Sequence, residues 1–183
     1  MFNQTQYISN EPESFDVTAI DYEDAEGNGT VQLRGYLALP ENLESPTPLI
    51  VVFPDWDGVN TYEKKRATLL AELGYIAFAA DIYGKDLQNM TDDNEKGAQV
   101  TKFVSDPTLY LQRMQRAIDV ASETEFVDKE NVGIIGYCFG GSGVVLYSRS
   151  GLDSAKVAVA FHGIFYQEEV PSLTDTIHPY TLM

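Results

Sequence analysis

The chain is poor in the residues on which much protein chemistry depends. It has one cysteine, two histidines and one tryptophan among 183 residues, and twelve basic residues against twenty-eight acidic ones. A single cysteine forms no internal disulfide, so the fold does not depend on an oxidising compartment. Cys138, His162 and His178 lack ligand spacing, and the acidic run Asp92-Asp93-Asn94-Glu95 does not fit a calcium loop. No metal and no organic cofactor are implied, and the run is expected to be solvated loop. The formal charge of -16 repels phosphate backbones and anionic lipid, which argues against nucleic-acid and membrane partners. No apolar run reaches the roughly 18 residues needed to span a bilayer. The polar segment Met1 to Pro12 has no apolar core of the signal-peptide kind. A soluble, cytoplasmic protein is the default expectation, although three sequons, at Asn3, Asn28 and Asn89, leave secretion open.

What is present has the composition of one folded domain. Hydrophobic residues make up 44% of the chain, enough for a sizeable core. Phe15–Tyr22 and Val31–Leu39 read as strands joined by an acidic turn, a hairpin at one edge of a sheet. Leu49–Phe53 is a continuous apolar run, as expected of a strand covered on both faces. A helix follows, with Asn60 as N-cap, Glu63 three residues on, Leu69, Leu70 and Leu73 as the expected buried stripe, and Gly74 as its stop. Tyr75–Ile82 is the next strand. Residues 85–105 are polar and read as a loop with one helical stretch. Asp106-Pro107 opens an amphipathic helix, Val132–Gly136 is a strand, Ser142–Ser150 a helix, and Lys156–Phe161 a further strand. Pro179–Met183 starts another. Alternation of this kind predicts an α/β fold, a mostly parallel sheet with helices on both faces.

The chemistry converges on Gly136-Tyr137-Cys138-Phe139-Gly140-Gly141. An apolar strand running through Gly-x-Cys-x-Gly-Gly into a helix has the shape of a nucleophile elbow, with sulfur in place of the serine oxygen. The glycines allow close approach of strand, turn and helix. The helix N-terminus turns its free N–H groups toward the sulfur and favours thiolate. The Phe139 N–H is placed to stabilise a tetrahedral oxyanion. A dinucleotide fingerprint needs glycine where Cys138 stands, and a phosphate-binding loop needs Lys and then Ser or Thr where Ser142-Gly143 follows. A lone cysteine is ordinarily just a small buried residue. The strand, elbow and helix around this one favour a presented nucleophile.

From roughly Val31 onward the chain resembles the dienelactone hydrolase family, the cysteine branch of the α/β-hydrolases. The resemblance is carried by Val51 to Asn60, by Gly74-Tyr75-Ile76-Ala77 with Asp81-Ile82-Tyr83-Gly84, by Val132 to Gly141, and by Val159-Ala160-Phe161-His162-Gly163. It implies that Cys138 is the nucleophile, with the second oxyanion N–H from Trp56. Asp55 falls where the family has a glutamate that interacts with the resting thiol. Lys85 falls where well-studied members place an arginine for a substrate carboxylate, an exchange that keeps the charge and loses the fork. Lys85 and His162 are the substrate-side candidates.

The implied reaction is cleavage of small esters or lactones through a thioester, with a thioesterase or peptidase as a weaker alternative. The template's acid and histidine follow later strands, in the order nucleophile, acid, base. His162 and His178 both fit the base poorly, and Asp175 stands only three residues before His178. The reading therefore expects the natural protein to continue beyond Met183, supplying the last strands and the C-terminal helix. If it does not, the expectation is weak activity and a protein partner over the open sheet edge. A silent, hydrolase-fold interaction domain is the competing reading.

Overall fold

The computed structural model describes residues 15–164 and 181–182. Seven strands form one sheet: β1 (Thr18–Glu26), β2 (Gly29–Ala38), β3 (Thr47–Phe53), β4 (Ile76–Ala79), β5 (Val127–Tyr137), β6 (Val157–Phe161) and β7 (Thr181–Leu182). Among the described residues four α-helices and a short 3-10 turn (Lys85–Leu87) connect them: α1 (Thr61–Glu72), α2 (Asp93–Ser105), α3 (Pro107–Ser122) and α4 (Phe139–Arg149).

The spatial order is β1-β2-β4-β3-β5-β6-β7. Strands β4, β3, β5, β6 and β7 run parallel, and the β1–β2 hairpin joins antiparallel at the outer edge. This is the expected α/β architecture, down to Thr181 and Leu182 adding a parallel strand beside Ala158 and Val159. Chain progress reverses at β3: β3 leads outward to β4, whereas β5, β6 and β7 advance the other way. A crevice opens at such a reversal, at the carboxyl ends of the two strands that flank it. Here those ends are Phe53 and Tyr137.

Each face of the sheet carries its own core. One combines Leu33, Leu49, Val51 and Ile134 of the sheet with Phe103 of α2, Met114 and Ile118 of α3 and Val144 of α4. The other is smaller and made largely of alanine: Ala38, Ala77 and Ala79 of the sheet against Ala67 and Ala71 of α1, with Val59. Small side chains let α1 lie close to the strands. That corrects the expected leucine stripe in part: Leu70 packs half-buried against this core, but Leu69 is exposed and Leu73 is 74% exposed, with Glu63, Ala67 and Ala71 buried instead. Residue size alone points to the leucines, whereas close packing selects the small residues.

The acidic run is also corrected. It opens α2, a 13-residue helix, with Asp92 as N-cap accepting from the Asn94 N–H at 2.8 Å. Acidic side chains suit the positive end of a helix.

Arg113 of α3, fully buried, holds the edge hairpin in place. It donates to Asp24 at 2.9 Å, to Glu26 at 2.8 Å and to the Ile82 carbonyl at 2.8 Å. An apolar groove of about 300 Å³ runs along β3, β5 and β6, lined by Ile50, Ile135, Val157 and Val159 among others. No helix among the described residues is long and apolar enough to cross a membrane.

Candidate active site

Cys138 sits at the strand reversal, between the end of β5 and the first residue of α4. Its backbone has φ 50° and ψ −109°, a conformation that residues with a Cβ rarely adopt. The strain is held by hydrogen bonds on both sides. The Cys138 N–H donates to the Phe161 carbonyl at 2.9 Å, and its carbonyl accepts from the Ser142 N–H at 2.9 Å. Gly140 donates to the Pro54 carbonyl at 2.8 Å, tying the elbow to the loop after β3. The glycines are steric necessities. A Cβ on Gly136 would strike the Gly140 carbonyl, and one on Gly140 would strike the carbonyls of Phe53 and Pro54. The thiol is free and half-buried.

Two buried tyrosines hold the loop and the helix start around it. The Tyr110 hydroxyl donates to the Phe139 carbonyl at 2.8 Å, and its ring stacks on Phe139 with centroids 4.7 Å apart. The Tyr83 hydroxyl donates to the Trp56 carbonyl at 3.2 Å, and its ring lies 5.4 Å from that of Phe139. The two residues expected to supply oxyanion N–H groups, Trp56 and Phe139, are thus fixed relative to each other through one aromatic cluster. The sequence places Tyr83 in a family segment and Tyr110 on the buried face of its helix but gives neither a role at the site, because only the fold brings α3 and the loop after β4 to this place.

Asp55 is a turn former as well as a neighbour of the elbow. Its carboxylate accepts the Asp57 N–H at 2.9 Å, and its carbonyl accepts the Gly58 N–H at 3.2 Å. Burial pushes its carboxyl above the ordinary range, opposed by the Asp57 N–H and by the charges of His162 and Lys96. His162 follows β6 with φ 43°, exposed, and within electrostatic reach of Asp55. Lys96 of α2, absent from the sequence-derived candidates, lies 5.1 Å from the centre of the Trp56 ring and 3.1 Å from Asp57.

Lys85 lies elsewhere in its contacts. Its ammonium binds Asp21 of β1 at 2.7 Å, and Asp21 also holds Arg34. Its engagement is with the edge hairpin. Asp175 and His178 fall outside the described residues. Among the described residues no cluster of three or more His, Cys, Asp or Glu side chains could hold a metal.

The model of the dienelactone hydrolase family matches residues 33–182. The chain belongs to the dienelactone hydrolase family. It is 31% identical over 157 residues to a Bradyrhizobium protein named "Probable 2-oxo-3-(5-oxofuran-2-ylidene)propanoate lactonase", covering 86% of this chain and 60% of that protein. It is 24% identical over 141 residues to a carboxymethylenebutenolidase of Pseudomonas putida, covering 74% of this chain and 58% of the relative. Among solved structures, a dienelactone hydrolase-like promiscuous phosphotriesterase from metagenomic libraries matches with a TM-score of 0.74 at 30% identity, over 86% of this chain and 64% of that one. The chain therefore spans about three fifths of the length of these relatives. The α/β-hydrolase fold and the family expected from the four sequence segments are both borne out.

Proposed function

We propose that this dienelactone hydrolase relative cleaves small carboxylic esters or lactones through Cys138. The strained Cys138 backbone, held between Phe161 and Ser142 at the strand reversal, is the observation that carries the reading. The thiolate attacks the carbonyl carbon, and the carbonyl π pair moves onto oxygen. The N–H groups of Trp56 and Phe139 receive that oxyanion. As it collapses, the C–O bond breaks, the alkoxide leaves and takes a proton from water, and a thioester remains on Cys138. Water then adds to the thioester, and the acid departs as the thiol re-forms.

The strand-reversal crevice, the strained elbow and the tyrosine-braced loop support this sequence of events. With Lys85 engaged by Asp21 and the whole chain strongly acidic, an uncharged ester suits the site better than a multiply anionic one. Incubation with a small aryl ester is expected to release the phenol and to leave an acyl group on Cys138, seen as an added mass that hydroxylamine removes. Cys138→Ala is expected to lower turnover by at least ~10³-fold. A thiol that neither acylates nor reacts with iodoacetamide would overturn the reading in favour of a binding module.

A further inference from the structure

Glu63 is the one described carboxyl group that combines complete burial, an unsatisfied oxygen and a hydrogen-bonded route to the elbow. It is fully buried, and its Oε1 has no hydrogen-bond partner among the described residues. Its other oxygen accepts the Asn60 N–H at 3.0 Å, closing the capping box of α1. From Asn60 the connection continues. The Asn60 side chain donates to the Gly58 carbonyl at 3.2 Å, and the Gly58 N–H donates to the Asp55 carbonyl at 3.2 Å. Pro54, next in line, accepts the Gly140 N–H of the elbow. On the opposite side Tyr62, beside Glu63 in sequence, meets Tyr137 edge-on at 5.3 Å, and Tyr137 precedes Cys138.

A helix cap needs only one carboxylate oxygen, and a surface position serves it well. Burying a carboxyl group with one oxygen unsatisfied costs free energy that the cap alone does not require. We propose that Glu63 is a positioning residue for Cys138: as a neutral acid it seats the Asp55–Gly58 loop against the elbow, and as a carboxylate it places a second negative charge behind Asp55 that disfavours the thiolate. The reactive consequence rests on the hydrolase reading; the coupling of Glu63 to the loop does not.

The groups around Glu63 support an ionisation that falls in the working range. Burial dominates and lifts its carboxyl to about 7, and the negative charge of Asp55 adds to that. The N–H groups of Asn60, Glu63 and Asp55 oppose the rise. From β5, Tyr137 faces it and is itself raised by burial. On its own helix Arg66 lies over the rings of Tyr62 and Tyr137, while Lys64 covers Tyr36 of β2. Beyond Asp55 stand His162, Lys96 and Asp57.

Trp56 is the single tryptophan of the chain and lies inside the loop, so its emission reports the loop directly. In the wild-type protein Trp56 emission is expected to change with a midpoint near pH 7. Over the same range Cys138 alkylation by iodoacetamide should rise less steeply than thiol ionisation alone requires. Glu63→Gln keeps the cap and cannot ionise. It should abolish the emission change and make alkylation about five-fold faster than wild type above the midpoint, equal below it. His162→Asn removes the one histidine among the described residues and should leave the change in place. Should Glu63→Gln fail to fold, Asp55→Asn provides the second arm, moving the midpoint down by deleting the like charge. An emission change that survives Glu63→Gln, a midpoint indifferent to Asp55→Asn, or no change in the wild type would each overturn the proposal. Ester turnover plays no part in these readings. A Glu63-dependent change in a protein without turnover sinks the hydrolase reading and leaves the coupling standing.

Discussion

Cys138 and Glu63 present opposite solutions to strain at one site. At Cys138 the strain is conformational, and three flanking glycines together with a hydrogen bond to the Phe161 carbonyl and one from the Ser142 N–H hold it. At Glu63 the strain is electrostatic, and it leaves a signature in the stability of the whole protein. An acid whose folded value lies near 7, against an ordinary 4.5, binds its proton more tightly in the folded state. Its contribution to stability is complete below about pH 4.5 and is lost as pH rises to about 7. The loss is on the order of 3 kcal/mol, at 1.36 kcal/mol for each unit. Urea unfolding across that range should therefore show wild-type stability falling with pH, and Glu63→Gln should flatten that part of the curve. A parallel fall in the variant would show that other groups are responsible.

Among the helices, α1 shows how packing distance chooses the buried face. Ala67 is fully buried against Ala77 and Ala79, while Leu73 is 74% exposed. Ala67→Leu should cost about 1–3 kcal/mol through overpacking, while Leu73→Ala should stay within about 0.5 kcal/mol. Denaturant midpoints of the two variants check both, and the reverse ranking would mean that α1 buries its leucines. The same helix shows what was legible beforehand. Asn60 and Glu63 marked its start correctly because a capping box is a local pattern. The depth of Glu63 was not legible, because burial depends on which strands lie beneath. The Asp92 run was misread for a related reason: acidic residues suit a solvated loop and a helix N-terminus equally, and α2 is decided by Phe103 meeting the core. The elbow's backbone was legible, since glycine spacing reports close backbone approach, although α4 begins at Phe139 rather than at the expected Ser142. Lys85 was placed by analogy alone, and its partner Asp21 lies 64 residues away in the chain.

For the molecule as a whole, alternation of apolar runs with helices was enough to specify a parallel sheet with an antiparallel hairpin at its edge. It could not specify what fastens that hairpin. The buried part of the fastening is Arg113, whose bonds to Asp24 and Glu26 span 89 and 87 residues of sequence, with Lys102 of α2 pairing Glu26 beside it. Synthesis runs from the N-terminus, so the ribosome makes this strand pair first and its anchor much later. The hairpin must wait, Asp24 without its counter-ion, until α3 has left the exit tunnel. Protease probing of nascent chains stalled at increasing lengths should find β1 and β2 cut freely until Arg113 has emerged, and protected afterwards. Protection at shorter lengths would show that the hairpin stands without its anchor. The first segment made would then be among the last secured, an order of assembly in which one buried guanidinium is the late step.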